Sequence, residues 1–581
     1  MADEVTIQRL VHSLEPGNLA SWIRGALLLL LVVVLFFLYL FVQFRGLDSE
    51  EAMDQAQIAR QISEGEGFTT GYIRPLAIWQ LEQAGKEIPE GAFPEFSNMP
   101  VYPFVASIAL GFVGDLDIEP SDIVYAGDRM LAGLGIVCFL LATGIFYFVG
   151  RLLFDARVAL IATGAVLLTD LFWQWSLTGL PQMLLLLEFA VASLFMVRAT
   201  MARLDEQTVM MCVWLALSAA MLGLMTLTHG LAIWLAIGFL GFTIIYFTPR
   251  ALSAIVVLLA FAVVVTPWLL RNYAVSGTPF GLFIYEAWAG KAAYVELLRT
   301  MLPDIAGSRT GILHKIRTGV VEQAGMVFLF LGTNLLAGLF FVSLMHPFRR
   351  PETAAFRWLF LMMWVPAVVG MALYSVTRPM DANDLHVLFI PVFAFYGTAF
   401  ALVLWNRTEI GLPLLRTAFV SLLLFLCAIP MLLTLFAGSQ GRIQWPPYIP
   451  PYIGVLGNWT TEDEMLMSDM PWATAWYAQR ESLSLPRTIR EFNQINDYRV
   501  LHKPIVMMYL TPVTGNRAFL SGIVKGPYAP WAAFILRRTE NLGNFPLRQV
   551  LPLPIDGETI VYADMPRWQN PPQPIEEESE E

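Results

Sequence analysis

Apolar residues along this chain fall in blocks separated by short polar breaks. The blocks run to about twenty residues, the length at which an α-helix spans a bilayer. The first extends from Ile23 to Phe41 and predicts a helix over 23–43. Further blocks at 124–148, 158–174, 181–199, 209–228, 230–247, 252–270, 324–346, 356–376, 385–404 and 412–436 each predict a span. With the first, that makes about eleven transmembrane helices. A shorter block in N-M-P-V-Y-P-F-V-A-S-I-A-L-G-F-V-G (98–114) suits a re-entrant or interfacial helix.

Loop charge sets the orientation, because cytoplasmic loops carry an excess of Lys and Arg. Arg9 and Arg24 stand at or before the first block. Arg151 and Arg157, Arg198 and Arg203, Arg250, Arg349, Arg350 and Arg357, then Arg407 and Arg416 fall on the same side by alternation. Residues 1–22 are therefore expected in the cytoplasm. A transmembrane domain is expected over 23–436, with external loops at 44–123 and 271–323. An odd number of spans puts residues 437–581 outside as a soluble domain. P-I-V-M-M-Y-L (504–510) and E-T-I-V-Y-A (558–563) read as strands there, and M-P-W-A-T-A-W-Y-A (470–478) as a short helix. A small α/β or α+β domain follows.

Composition agrees with this class. The chain is 56% hydrophobic and only 14% charged, against about a quarter charged in soluble proteins. A net charge of −11 excludes a nucleic-acid partner of the usual basic kind, and the terminal E-E-E-S-E-E reads as a solvated end. Cys138, Cys212 and Cys427 all lie inside apolar blocks, so no disulfide framework is offered. The first block is too long for a removed signal peptide and reads as a retained helix.

Candidate chemistry concentrates where the first span leaves the bilayer. Asp48, Glu50, Glu51 and Asp54 stand within seven residues, and carboxylates are costly to hold near lipid. From Asp48 to Arg60, the spacing of Ala52, Met53, Ala56, Ile58 and Ala59 predicts a helix lying on the membrane surface, ended by Gly65 and Gly67. Residues 68–100 read as loop. An inverting glycosyl transfer needs a general base near the acceptor oxygen, and a metal can hold a phosphate leaving group. The competing reading is an acidic helix start that complements the dipole.

Arg271, in T-P-W-L-L-R-N-Y (266–273), stands at the outer end of a span. It is placed either to hold a lipid phosphate or to anchor the interface beside Trp268 and Tyr273. His229 and His386 sit at helix boundaries, where a lone histidine is more often a satisfied polar residue. H-E-x-x-H, C-x-x-C and P-loop patterns are absent from the sequence.

Several pieces in order resemble the GT-C superfamily of membrane glycosyltransferases, in the branch of the protein O-mannosyltransferases and the lipid A aminoarabinose transferase. They are A-M-D-Q-A-Q-I-A-R-Q-I-S-E-G-E-G-F (52–68), M-P-V-Y-P (99–103), G-R-L-L-F-D-A-R-V-A-L (150–160), W-S-L-T-G-L-P-Q (175–182), L-G-L-M-T-L-T-H-G (222–230) and T-P-W-L-L-R-N-Y (266–273). The sequence departs from that pattern in four places. D-S-E-E replaces the Asp-Glu pair, Gln182 follows Pro181 in place of an acid, and His229 and His386 replace arginines.

The resemblance implies a sugar donor linked to polyprenyl phosphate, an extracytoplasmic acceptor (lipid, glycan or protein) and a bacterial-type inner membrane. It makes Asp48 or Glu51 the base, or the ligands of a divalent metal such as Mg or Mn. Arg271 and Arg74 become donor-phosphate contacts, with Glu50, Asp54, Tyr102, His229 and His386 as further site candidates. Two rivals stand beside this reading. One is a non-catalytic membrane subunit that binds a glycan or protein through its external domain. The other is a transporter, for which Asp128, Arg129 and Glu188 are the in-span ionisable residues.

Overall fold

The computed structural model describes residues 18–113, 116, 124–305, 307, 311–409, 412–436, 449–515, 520–538, 545–552 and 559–569. The first seventeen residues and the terminal acidic run lie outside the described residues. Residues up to Arg45 form one compact unit and those from Gly46 another. In the first unit helix α1, Asn18–Phe37, widens into a π-helical turn at Leu38–Gln43. The predicted first span is therefore a helix that starts five residues earlier than its apolar block.

The second unit opens with α2 (Glu50–Glu64), strands β1 (Thr69–Thr70) and β2 (Tyr72–Ile73), α3 (Pro75–Gln83), β3 (Phe93–Pro94) and α4 (Val101–Leu110). Then come α5 (Ala126–Leu153), α6 (Ala156–Leu167), α7 (Asp170–Ser176), α8 (Gln182–Leu204), α9 (Thr208–Thr228), α10 (Ile233–Tyr246) and α11 (Arg250–Ser276). Helices α12 (Phe283–Trp288), α13 (Lys291–Leu298), α14 (Ile312–Gly325), α15 (Val327–Phe330) and α16 (Leu335–Ser343) follow. The bundle ends with α17 (Pro351–Leu373), α18 (Ile390–Arg407) and α19 (Pro413–Phe436).

Among the described residues 8 helices are long and apolar enough to cross a membrane, or 9 if the bent pair α6–α7 is one span. The chain is an integral, multi-pass membrane protein. Two expected spans take other forms. The block at 230–247 is a 14-residue helix after a short 3-10 turn, and the block at 324–346 is broken between Phe330 and Leu335. That break is stabilised locally: Asn334 accepts from the amides of Leu336 and Ala337 and donates to the Thr169 hydroxyl at 2.7 Å. Thr169 stands at the matching α6–α7 break, where the two helices meet at 56°.

Packing separates central helices from peripheral ones. The apolar window of α18, counted from His386, is 83% buried, whereas that of α11 is 17% buried. Leu258, Leu259, Val263 and Leu270 on α11 are correspondingly exposed, an apolar face that lipid would cover.

After residue 449 come α20 (Pro450–Asn458), β4 (Met465–Ser468), α21 (Pro471–Tyr477), β5 (Ser482–Ser484), α22 (Ile489–Asp497), β6 (Ile505–Leu510), β7 (Gln549–Pro552) and β8 (Ile560–Ala563). The strands predicted at 504–510 and 558–563 and the helix at 470–478 are present. Six strands form one sheet in the order β2-β5-β4-β6-β8-β7. Strands β2, β5, β4 and β6 are parallel, and β8 runs antiparallel to both β6 and β7. Parallel strands need crossovers, which α21 and α22 supply.

The edge strand β2 comes from the first loop, with Tyr72 opposite Ser482 and Ile73 opposite Leu483. The stretch 68–100, read as loop, thus contains three short strands and α3. Its apolar residues join the core of the sheet region: Ile73, Leu76, Ile78 and Phe93 pack in one cluster with Met467, Leu483, Met508 and Trp531.

Candidate functional site

Helix α2 carries most of the predicted carboxylates, and its start is defined by chemistry. Ser49 is extended and its hydroxyl accepts from the Ala52 amide at 3.2 Å, an N-cap. Glu50 and Glu51 fill the first turn, where the helix dipole favours negative charge. Gly65 ends the helix at φ 91°, a left-handed value that suits glycine.

The expectation of a surface helix is corrected. Every residue from Ala52 to Arg60 is buried, because polar side chains on all sides of the helix find partners. Arg60 donates to the carbonyls of Trp476 (2.7 Å) and Ala475 (2.8 Å) on α21. Gln57 donates to Thr70 at 2.7 Å and accepts from the Gly71 amide at 2.8 Å.

The expected site residues divide by what they touch. Asp54 is saturated: it accepts from Arg74 (2.5 Å), Asn98 (2.8 Å) and Gln57 (3.1 Å). Arg74 is buried with it, 3.8 Å from a Glu95 oxygen and 3.8 Å over the Tyr72 ring. Its guanidinium balances two carboxylates, so it is placed as a structural cation and not as a free phosphate contact. Glu50 is half-buried and accepts from the Tyr72 hydroxyl at 3.2 Å. Burial, then the neighbouring Glu51, pushes its carboxyl up to about 8 against the pull of Arg74. Asp48 is half-buried just ahead of the cap.

Glu51 is different: it stays open to solvent although protein surrounds it. Burial raises its carboxyl above the ordinary range; Asp381 adds to this, and its own backbone N–H and Lys291 oppose it.

Three elements that sequence reasoning passed over complete this acidic recess. Lys291, at the start of α13, pairs with Asp381 at 2.9 Å. Glu286 on α12 accepts from Asn383 at 2.9 Å. Burial first, and then Glu51 and Asp381, push its carboxyl up to about 8. The buried Lys315 fixes the end of α12 by donating to the carbonyls of Glu286, Ala287 and Ala289 at 3.2, 3.2 and 2.6 Å. The loop 377–384 ties the recess to the bundle: Gln182 donates to the Ala382 carbonyl, and His229 bonds to the backbone of the same residue. Burial lowers His229 to about 4, so it is neutral at pH 7.

Two candidates are buried and hydrogen-bonded within the protein. His386 lies in the bundle with both ring nitrogens partnered, by Trp364 and Gln323 at 3.1 Å each. The Tyr102 hydroxyl is buried and donates to the Gly179 carbonyl at 2.5 Å. Both are satisfied polar residues of the interior.

Arg271 sits on the far side of Glu95. It donates to the carbonyls of Glu95 and Phe68 and to Asn272. Its guanidinium lies 4.9 Å from the Trp268 ring and 5.3 Å from Phe68, and it makes no ion pair among the described residues. Those two aromatics also line an open apolar pocket of about 350 Å³, with Ile62, Gly67, Pro100, Val101 and Phe104. A cation therefore stands at the rim of an apolar groove, joined to the carboxylates by the chain Arg271–Glu95–Arg74–Asp54.

Among the described residues no three His, Cys, Asp or Glu side chains gather as metal ligands. Asp48 and Glu51 do not make such a set, and no step below is routed through an ion.

No protein-family model and no curated protein sequence matches the chain. Solved structures do. ArnT from Cupriavidus metallidurans, bound to undecaprenyl phosphate, is 14% identical over 94% of this chain and 98% of its own, with a TM-score of 0.57. The oligosaccharyltransferase AglB from Archaeoglobus fulgidus, in complex with an inhibitory peptide and a dolichol-phosphate, is 14% identical over 94% of this chain and 74% of its own, at 0.53. A further structure of that archaeal oligosaccharyltransferase holds Zn and sulfate, with a TM-score of 0.52. This chain shares the fold of these structures, a GT-C-like fold.

Proposed function

We propose that this protein is a membrane glycosyltransferase that moves one sugar from a polyprenyl-phosphate donor to an extracytoplasmic acceptor. The observation that carries the reading is the adjacency just described: an apolar groove, a cation at its rim, and carboxylates linked to that cation through its hydrogen bond to the Glu95 carbonyl and the Glu95–Arg74–Asp54 ion pairs. A polyprenyl tail suits the groove, and its phosphate suits Arg271, whose charge has no carboxylate within ion-pair distance among the described residues. The two similar structures hold polyprenyl-type phosphates.

Glu51 is the preferred base, because its carboxyl is solvent-accessible and lies among Lys291, Asp381 and Glu286 of the recess; Asp48 is the second candidate. The carboxylate takes the acceptor hydroxyl proton as the acceptor oxygen bonds to the anomeric carbon. The bond from that carbon to the phosphate oxygen breaks, and the polyprenyl phosphate leaves with the electron pair beside Arg271. The orientation belongs to the same proposal: residues 1–22 cytoplasmic, 23–436 in the membrane, and 437–581 outside.

Mass spectrometry of lipids that co-purify with the protein tests this. Wild type is expected to retain a polyprenyl-phosphate sugar that Arg271→Ala loses. If neither retains one and added polyprenyl phosphates fail to bind, the donor site is wrong.

A further inference from the structure

The segment that presents Asp48 to Glu51 is clamped from below by one carboxylate that the proposed reaction does not use. Asp128, in the first turn of α5, is fully buried. It accepts from the Leu47 amide at 3.4 Å, from the Trp476 indole N–H at 2.8 Å and from the Tyr477 hydroxyl at 2.8 Å. One oxygen lies 3.5 Å from where a Cβ on Gly46 would stand, and Gly46 is left-handed at φ 115°.

Helix α21 reaches α2 by a second route, since Arg60 donates to the Ala475 and Trp476 carbonyls and lies 5.5 Å from the Trp476 ring. On its other side Leu47 is buried against Gly179, where an added Cβ would stand 2.5 Å from a Leu47 methyl. The start of α2 is thus held by a bundle helix and by α21 of the sheet region through one shared anion.

We propose that Asp128 is a positioning residue: it transmits the docking of α21 to the carboxylates at the start of α2 and so sets where Glu51 stands. The charge of Asp128 suits this role because all three hydrogen-bond partners are donors, and a carboxylate accepts without donating. A buried anion held by several donors is rigid while the set is complete and costly when one is lost. Removing either aromatic donor would therefore loosen the 46–51 segment through Asp128. The proposal rests on the reading of Glu51 as the base, but its test does not require transfer activity.

The test uses the full chain in lipid nanodiscs, comparing wild type with Trp476→Phe and Tyr477→Phe, which keep the rings and remove one donor each. Hydrogen exchange is followed over 46–64. The pH dependence of Glu51 labelling by a water-soluble carbodiimide is read in parallel, and undecaprenyl phosphate is the probe for the Arg271 groove. The charged groups acting on Glu51 are Asp381, Lys291, Asp54, Glu286 and Glu50, and none is altered.

In both variants exchange at 46–52 is expected to rise about tenfold. The labelling midpoint of Glu51 should move by about half a pH unit or more as its distance to Lys291 and Asp381 changes, with undecaprenyl phosphate binding within about twofold of wild type. A labelling midpoint that stays in place overturns the proposal, and so does exchange that rises evenly across the chain. Weakened undecaprenyl phosphate binding with an unmoved midpoint also counts against it, because the loss would then lie in the groove. Asp128→Asn supplies the conservative control: it should shift the same midpoint, since an amide turns a donor toward one of the three groups that also donate.

Discussion

At the scale of single residues the site is a problem of carboxyls that protein surrounds. Five of them crowd one recess and its flank, Glu50, Glu51, Asp54, Glu286 and Asp381, and their fates differ by partner. Asp54 has three donors, Asp381 has Lys291, Glu50 accepts from the Tyr72 hydroxyl and Glu286 from the Asn383 amide. The last two therefore titrate late, near 8 instead of the ordinary 4.5. The sign of the effect on stability follows. In that window the folded chain holds protons that the unfolded chain has released, so raising the pH favours unfolding. Thermal melts between pH 5 and 9 should show the melting temperature falling as pH rises from about 4.5 to about 8. The double variant Glu50→Gln, Glu286→Gln should flatten that slope. An identical slope in the variant would place the titration elsewhere. For catalysis, Glu51→Gln keeps the shape and removes the proposed base, and transfer should fall by about 10²- to 10⁴-fold. Asp48→Asn losing more than Glu51→Gln in the same transfer assay would reverse the choice between them.

At the scale of elements, what could be read from the chain depended on how local the physics was. The long bundle helices were legible because lipid demands about twenty apolar residues regardless of neighbours. The breaks at Thr169 and Asn334 were not, since those two side chains compensate each other across 165 residues. The α3 helix was passed over although Pro75 stands at its first position, a start signal, because prolines and glycines on both sides suggested loop. The carboxylates of α2 were found, but not Glu286, Lys291 or Asp381. Glu286 and Lys291 sit in the segment after α11 and Asp381 in the loop 377–384, and nothing in their spacing shows that these segments converge on α2. The burial of α2 was equally invisible, because the partners of Arg60 lie about four hundred residues away. Its cap, by contrast, is local. Ser49→Ala removes the oxygen that accepts the Ala52 amide and should cost about 1 kcal/mol. A matching drop in the melting temperature is expected, with the span helices unchanged by circular dichroism. An unchanged melt would mean that burial of 52–60 fixes the helix without its cap.

At the scale of the whole molecule, the sheet region shares its edge strand and its core with the segments 72–96 and 282–298, and is not simply appended to a bundle. The edge strand β2 is supplied by the first loop, and Leu282, Leu297 and Leu298 of the second loop enter the same core as Leu483 and Trp531. Fully burying an aliphatic or aromatic side chain is worth about 1.5–3 kcal/mol, so these shared residues weigh heavily against a net stability of only about 5–15 kcal/mol. A polypeptide of residues 449–569 alone would lack β2 and leave the outer edge of β5 unpaired, a row of open backbone groups. A chain ending at residue 436 would leave the buried Arg60 without its two carbonyl acceptors and Asp128 without two of its donors. Unpaired buried charge is costly. Both pieces are therefore expected to fail in defined ways. The first should show no cooperative melt, and the second should lose protease resistance over 46–110 while its long bundle helices stay protected by lipid. Co-expression of the two pieces should restore resistance, because every contact between them is non-covalent. If the 449–569 piece melted as cooperatively as it does within the full chain, β2 and the loop residues would be decoration on an independent domain. The recess around Glu51 would then be shaped by the bundle alone.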